Sequence, residues 1–233
     1  MRNTFRSLAV LALGMTLAVS LPAQQRKKRV LAIGAVAGFQ HDSVSQGLGT
    51  IWKIGQESGL YDTFIRTDTQ LITKKKLPSN AKNLDYFDAV FFNPTGDLGL
   101  DDEQKAALLS FIRDDGKAFL GAHTATDSNF NWPAYGEMVG GYFDMHPWGV
   151  FPAPVIVEDR DFPATRHFPA AFTITDEIYQ IKEFSRDRVR VLMRLDDSKL
   201  DYTKPNIHRA DKDFAISWVK EHGKGRVFYS TLG

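Results

Sequence analysis

Short apolar runs alternating with segments of helical periodicity predict an α/β fold with a mostly parallel, doubly wound sheet and helices on both faces. Residues 30–33 (VLAI), 89–92 (AVFF) and 118–120 (AFL) are continuous apolar runs of strand length. Such runs suit parallel strands buried on both sides. Each leads within a few residues to a glycine-bearing turn. In sheets of this class ligands bind outside the carboxyl ends of the strands, which directs attention to those turns.

The run at 30–33 opens into the loop GAVAGFQHD, residues 34–42. Its glycines do not make a GxGxxG pattern, so no nucleotide cofactor is expected. Asp42 or Ser43 can cap a helix whose Val44, Leu48, Ile51, Trp52 and Gly55 share one face, and Gly59 can end it. Phe64 and Ile65 mark a second strand, and Lys74, Lys75 and Lys76 read as a solvated surface run. After residues 89–92, the turn Asn93-Pro94-Thr95-Gly96 precedes a helix capped by Asp101 or Asp102. Leu108, Leu109 and Ile112 face its core side, and Gly116 follows it.

Residues 118–120 then enter Gly121-Ala122-His123. A strand meeting a sharp turn of small residues around one reactive side chain has the geometry of a nucleophile elbow, here with His123 at its centre. The remaining chain is richer in strands, expected at 155–157, 172–175, 189–193, 215–219 and 226–231. No repeat or linker interrupts residues 29–233, which are expected to form one domain.

Composition removes several function classes. Lys and Arg number 29 against 28 Asp and Glu, a net charge of +1 that supplies no field for nucleic acid. There is no cysteine, which excludes disulfides, thiolate metal sites and cysteine nucleophiles. No GxSxG occurs, so a serine-hydrolase elbow fails as well. What remains at the elbow is imidazole chemistry, either general acid–base catalysis or metal ligation.

At the amino end, Arg2 and Arg6 precede an apolar run at 8–21 and then Pro22-Ala23. This is the pattern of a signal peptide over residues 1–23, cleaved after Ala23, with export to the periplasm or exterior and no stable membrane insertion afterwards. The run is shorter than the about 20 residues a spanning helix needs. An uncleaved anchor flanked by Arg26, Lys27, Lys28 and Arg29 is the alternative.

Residues 119–148 hold two of the six histidines, His123 and His146, among amides, carboxylates and aromatic rings. With His41 from the loop after the first strand, three imidazoles plus Asp127 and an open position would make a catalytic divalent-metal site, zinc being the expected ion. The spacing contains no HExxH, so a metal-free acid–base centre stands beside it. Asp127 would orient an imidazole or act as base, or else cap a turn. Trp132, Tyr135, Tyr142 and Trp148 fit two readings equally, a sugar-stacking shelf or plain core.

The segments GFQHDSV, GAHTATDSNFNWPAYGEMVGGYFDMHPW, TDEIY and GKGRVFYSTLG together resemble the ThuA-like (trehalose utilisation) family across residues 29–233. The resemblance implies a class I glutamine amidotransferase-like fold, a flavodoxin-like three-layer sandwich. It also implies that His123 stands where those enzymes carry their cysteine nucleophile, so amidotransferase activity does not follow. The family is associated with trehalose, related disaccharides and keto-sugars. Its members commonly continue with a histidine directly after the Leu-Gly pair, so the chain is expected to be truncated at Gly233. The resulting expectation is an exported hydrolase or lyase acting on a glycoside or oxidised sugar, with a small-molecule sugar as its partner. A non-catalytic carbohydrate-binding domain is the alternative.

Overall fold

A computed structural model describes residues 26–233. The expected signal peptide at 1–23 lies outside the described residues, and no described helix is long and apolar enough to cross a membrane. The elements run β1 (Lys28–Ile33), α1 (Ser43–Ser58), β2 (Tyr61–Arg66), β3 (Ala89–Phe92), α2 (Asp102–Arg113), β4 (Ala118–Ala122) and α3 (Pro133–Val139). They continue with β5 (Tyr142–Met145), β6 (Val150–Val157), β7 (Ala171–Glu177), β8 (Gln180–Lys182), β9 (Arg190–Leu195), β10 (Ala215–His222) and β11 (Gly225–Ser230).

The central sheet has nine strands in the order β2-β1-β3-β4-β11-β10-β9-β6-β7, and β5 pairs with β8 in a separate ribbon. The pairs β2/β1, β1/β3, β3/β4 and β4/β11 are parallel. From β11 onward each neighbour is antiparallel. Directions therefore alternate along the second half, and β9 and β7 point the same way as the parallel set. This puts the carboxyl end of β7 on the same rim as those of β1, β4 and β11.

Period-two alternation explains the layers. Leu31, Ile33, Val90 and Phe92 face α2 and α3, through Leu108, Phe111, Ile112, Tyr135 and Met138. Their neighbours Val30, Ala32, Ala89 and Phe91 face α1 through Val44 and Leu48. A separate cluster, including Val155, Val157, Met193, Leu195 and Ile216, fills the β6–β7–β9–β10 region. The Asp101 capping box with Gln104 starts α2, and left-handed Gly59 ends α1.

Several expectations are corrected. The segment after β2 is a loop, folded back by buried Leu71 and Ile72 and a 3-10 turn at Leu84–Tyr86. Trp52 is 49% exposed and lies off the apolar face of α1. The strands β5 and β8 were not expected; both are too short for a clear alternating pattern.

The largest correction concerns the aromatic shelf. Trp132, Tyr135 and Tyr142 belong to the main core. The Tyr135 hydroxyl donates to the Ala125 carbonyl at 2.5 Å, and Tyr142 donates to the Trp132 carbonyl at 2.5 Å while accepting from the Gly136 amide at 3.1 Å. Aromatic polar tips satisfied inside the protein leave no ring face for a ligand. Trp148 packs edge-on against Phe214 at 5.1 Å between centroids and donates to the Asp201 carbonyl. Tyr135→Ala is expected to cost about 3–5 kcal/mol in urea denaturation. Unchanged stability together with weakened sugar binding would instead restore the shelf.

Candidate functional site

The elbow is present. Immediately after β4, His123 adopts φ 39°, in the left-handed region, and begins a 3-10 turn at His123–Thr126. Left-handed backbone at a non-glycine residue costs about 1–3 kcal/mol and persists only where surroundings hold it. Here β11, next to β4, does so. The Tyr229 hydroxyl donates to the His123 carbonyl at 2.8 Å and shares a 2.7 Å hydrogen bond with Thr126 Oγ1. His123 Nδ1 lies 2.6 Å from the Thr231 carbonyl oxygen. A carbonyl cannot donate, so Nδ1 carries the proton and Nε2 of the neutral ring is left as an acceptor.

That Nε2 faces a cleft of about 730 Å³ at the carboxyl rim, lined also by His41, Asp127, His146, Glu177 and Tyr179. His41 arrives from the β1–α1 loop; its ring meets that of His123 edge-on at 5.1 Å. Glu177, the last residue of β7, arrives from the far edge of the sheet. Pairing of β6 with β7 extends from Ile156↔Ala171 to Val150↔Glu177, whereas β9 pairs only with Val155–Val157. The outer half of the ribbon thus leaves the sheet and brings Glu177 to the elbow.

Glu177 organises the centre. Its Oε2 is 3.7 Å from His123 Nε2 and 3.9 Å from His41 Nε2, and its Oε1 is 3.6 Å from His146 Nδ1. Donor atoms of His41, His123 and Glu177 all lie within 4.8 Å of one another. Ligands of a tetrahedral ion with bonds of about 2.0–2.1 Å would sit ~3.3–3.4 Å apart, so this trio would have to close by up to about 1.4 Å to hold a metal. His146 is partly exposed and stands beside the trio, reaching it through Glu177.

Electrostatics follow from burial and proximity. When its ring is protonated, His123 donates to the Glu177 carboxyl and holds it below its ordinary range. Burial, reinforced by His123, lowers the His41 pKa, keeping that ring neutral at neutral pH. Burial pushes the Asp127 carboxyl up to about 6, against the pull of His123 and His146. The Tyr179 ring packs tilted against His123, 4.2 Å between centroids, and its hydroxyl lies 3.3 Å from His41 Nε2. Burial raises its pKa, so it stays a neutral phenol that can donate to that nitrogen.

The structure therefore brings together His41, His123, His146 and Asp127, and leaves Trp132, Tyr135, Tyr142 and Trp148 out of the cleft. Sequence reasoning missed Glu177 and Tyr179. The signal available was the TDEIY segment, where adjacent carboxylates close a strand, but nothing local shows that β7 returns to the same rim.

The Trehalose utilisation (ThuA) family profile matches residues 29–233. No curated protein matches the sequence. A crystal structure of a protein described as ThuA-like from Bacteroides uniformis superposes with a TM-score of 0.70 at 20% identity, covering 92% of this chain and 85% of that one. A second such structure, from Parabacteroides merdae, gives 0.64 at 14% identity over 89% and 80%. A glutamine amidotransferase from Thermotoga maritima gives 0.52 at 16% identity over 90% and 76%. These likenesses establish the class I glutamine amidotransferase-like fold. With the profile spanning nearly all the described residues, the chain belongs to the ThuA family, a family of trehalose utilisation.

Proposed function

We propose that this protein is an exported enzyme of carbohydrate metabolism that cleaves a glycoside or oxidised sugar at the His41–His123–Glu177 centre. The observation that carries it is the meeting of acceptor atoms. His123 Nε2 and the Glu177 carboxylate face each other at 3.7 Å, and a neutral imidazole nitrogen and a carboxylate repel unless a positive charge lies between them. A proton on the imidazole or a divalent cation, zinc by its ligand chemistry, would supply that charge. A cation bound there would polarise a sugar oxygen.

Asp127 is the proton carrier in this reading. A carboxylate with a pKa of about 6 is a stronger base at neutral pH than an ordinary one and still largely ionised. In a keto-sugar the hydrogen on the carbon beside the carbonyl is acidic. Asp127 takes that proton, the electron pair expels the oxygen on the next carbon, and an imidazolium protonates the departing oxygen. In an unoxidised glycoside, protonated Asp127 donates to the leaving oxygen instead, and a water molecule that yields its proton to the Glu177 carboxylate forms the new bond at the anomeric carbon. Fixed Nδ1 protonation on His123 and the Tyr179 contact to His41 hold both rings in position for either step.

His123→Ala is expected to abolish turnover of keto-disaccharides or glycosides. Unaltered turnover would remove His123 from the mechanism, and sugar binding that persists with no product formed by the wild type would favour a binding module. Elemental analysis of purified protein separates the two centres: a stoichiometric transition metal supports ligation, and active metal-free protein refutes it.

Asp127 also links the site to stability. Its folded pKa of about 6 lies above the ordinary 3.8, so the folded state holds that proton more tightly than the unfolded state. The associated stability is present below the ordinary value and is lost as pH rises through about 6. Asp127→Asn should therefore raise Tm relative to wild type at about pH 8 more than at about pH 4, while reducing turnover. An equal Tm difference at both pH values would contradict the raised pKa.

A further inference from the structure

The walls of the cleft point to a class of substrate, given the carbohydrate reading above. Four carboxylates line it, Asp42, Asp127, Asp176 and Glu177, and no lysine or arginine does among the described residues. Phosphate, sulfate and uronate groups are recognised by guanidinium, ammonium or clusters of amide N–H groups. Here such a group would meet like charge at short range. A bound divalent ion would offset only part of it, since three other carboxylates remain.

The mouth of the same cleft is apolar. Phe39 is 73% exposed and Val150 is 69% exposed, the former on the loop that carries His41 and the latter paired with Glu177 across the β6–β7 ribbon. Each lip is thus attached directly to a member of the centre. The Phe39 and His41 rings form a T-shaped pair, 4.8 Å between centroids. Large exposed apolar groups at the rim of a polar cleft are the arrangement that binds a ligand with one polar end and one apolar end.

We infer that the site takes an uncharged glycoside, with the sugar at the histidine centre and an apolar or aromatic leaving group between Phe39 and Val150, and that it rejects phosphorylated sugars. Neither lip belongs to the reacting groups; they set which leaving group is held.

Calorimetry with the full chain and four probes tests this: phenyl glucoside, methyl glucoside, glucose and glucose 6-phosphate. Phenyl glucoside should bind roughly fivefold tighter than methyl glucoside, as a stacked ring contact allows. Phe39→Ala should remove most of that advantage. Glucose 6-phosphate should bind about tenfold or more weakly than glucose, with the gap narrowing in salt. A preference for the phosphate, or a phenyl advantage untouched by both Phe39→Ala and Val150→Ser, would overturn this inference alone. Absence of binding by all four would overturn it together with the carbohydrate reading.

Discussion

The hydrogen bond from His123 Nδ1 to the Thr231 carbonyl, at 2.6 Å, is the constraint on which the site rests. It exists because β11 lies beside β4 in parallel register, with Ser230 opposite Ala122, so the residues following both strands emerge together. That single contact fixes the tautomer of His123, aims Nε2 into the cleft and helps to hold a left-handed backbone that would otherwise relax. Tyr229, one strand-face position earlier on β11, secures the same residue through its carbonyl. The elbow is therefore a product of sheet order.

A second consequence is electrostatic. Once His123 presents an acceptor, Glu177 and His41 add two more around the same point, and Tyr179 supplies a neutral donor to one of them. Four of the surrounding groups come from four different places in the sheet: the loop after β1, the end of β4, the loop before β6 and the end of β7. Their convergence on one rim depends on the direction of β7, which the alternating antiparallel half of the sheet restores to that of the parallel half. In the proposed reading, this convergence of carboxylates and imidazoles draws a proton or cation to the centre.

How far the sequence alone reached depends on the range of the interactions concerned. The parallel half was legible because buried strands write themselves as continuous apolar runs, and the elbow because Gly121-Ala122-His123 follows such a run directly. His41 and Asp127 were legible for the same reason, sitting in turns at strand ends. Glu177 was not, because its place depends on pairings between β6, β7 and β9 that lie far apart in the chain. The aromatic residues misled in the other direction: Trp132, Tyr135 and Tyr142 among polar neighbours look like a ligand shelf, yet all three are buried in the core, where the two tyrosine hydroxyls find backbone partners.

The most direct test is NMR of the protein labelled with ¹⁵N-histidine, in wild type and in Glu177→Gln. Convergence on one carboxylate predicts that His123 in the wild type carries its proton on Nδ1, and that the one substitution shifts the ring-nitrogen signals of His41, His123 and His146 together. His123 protonated on Nε2 alone, or a substitution that leaves the three imidazoles undisturbed, would contradict a shared centre.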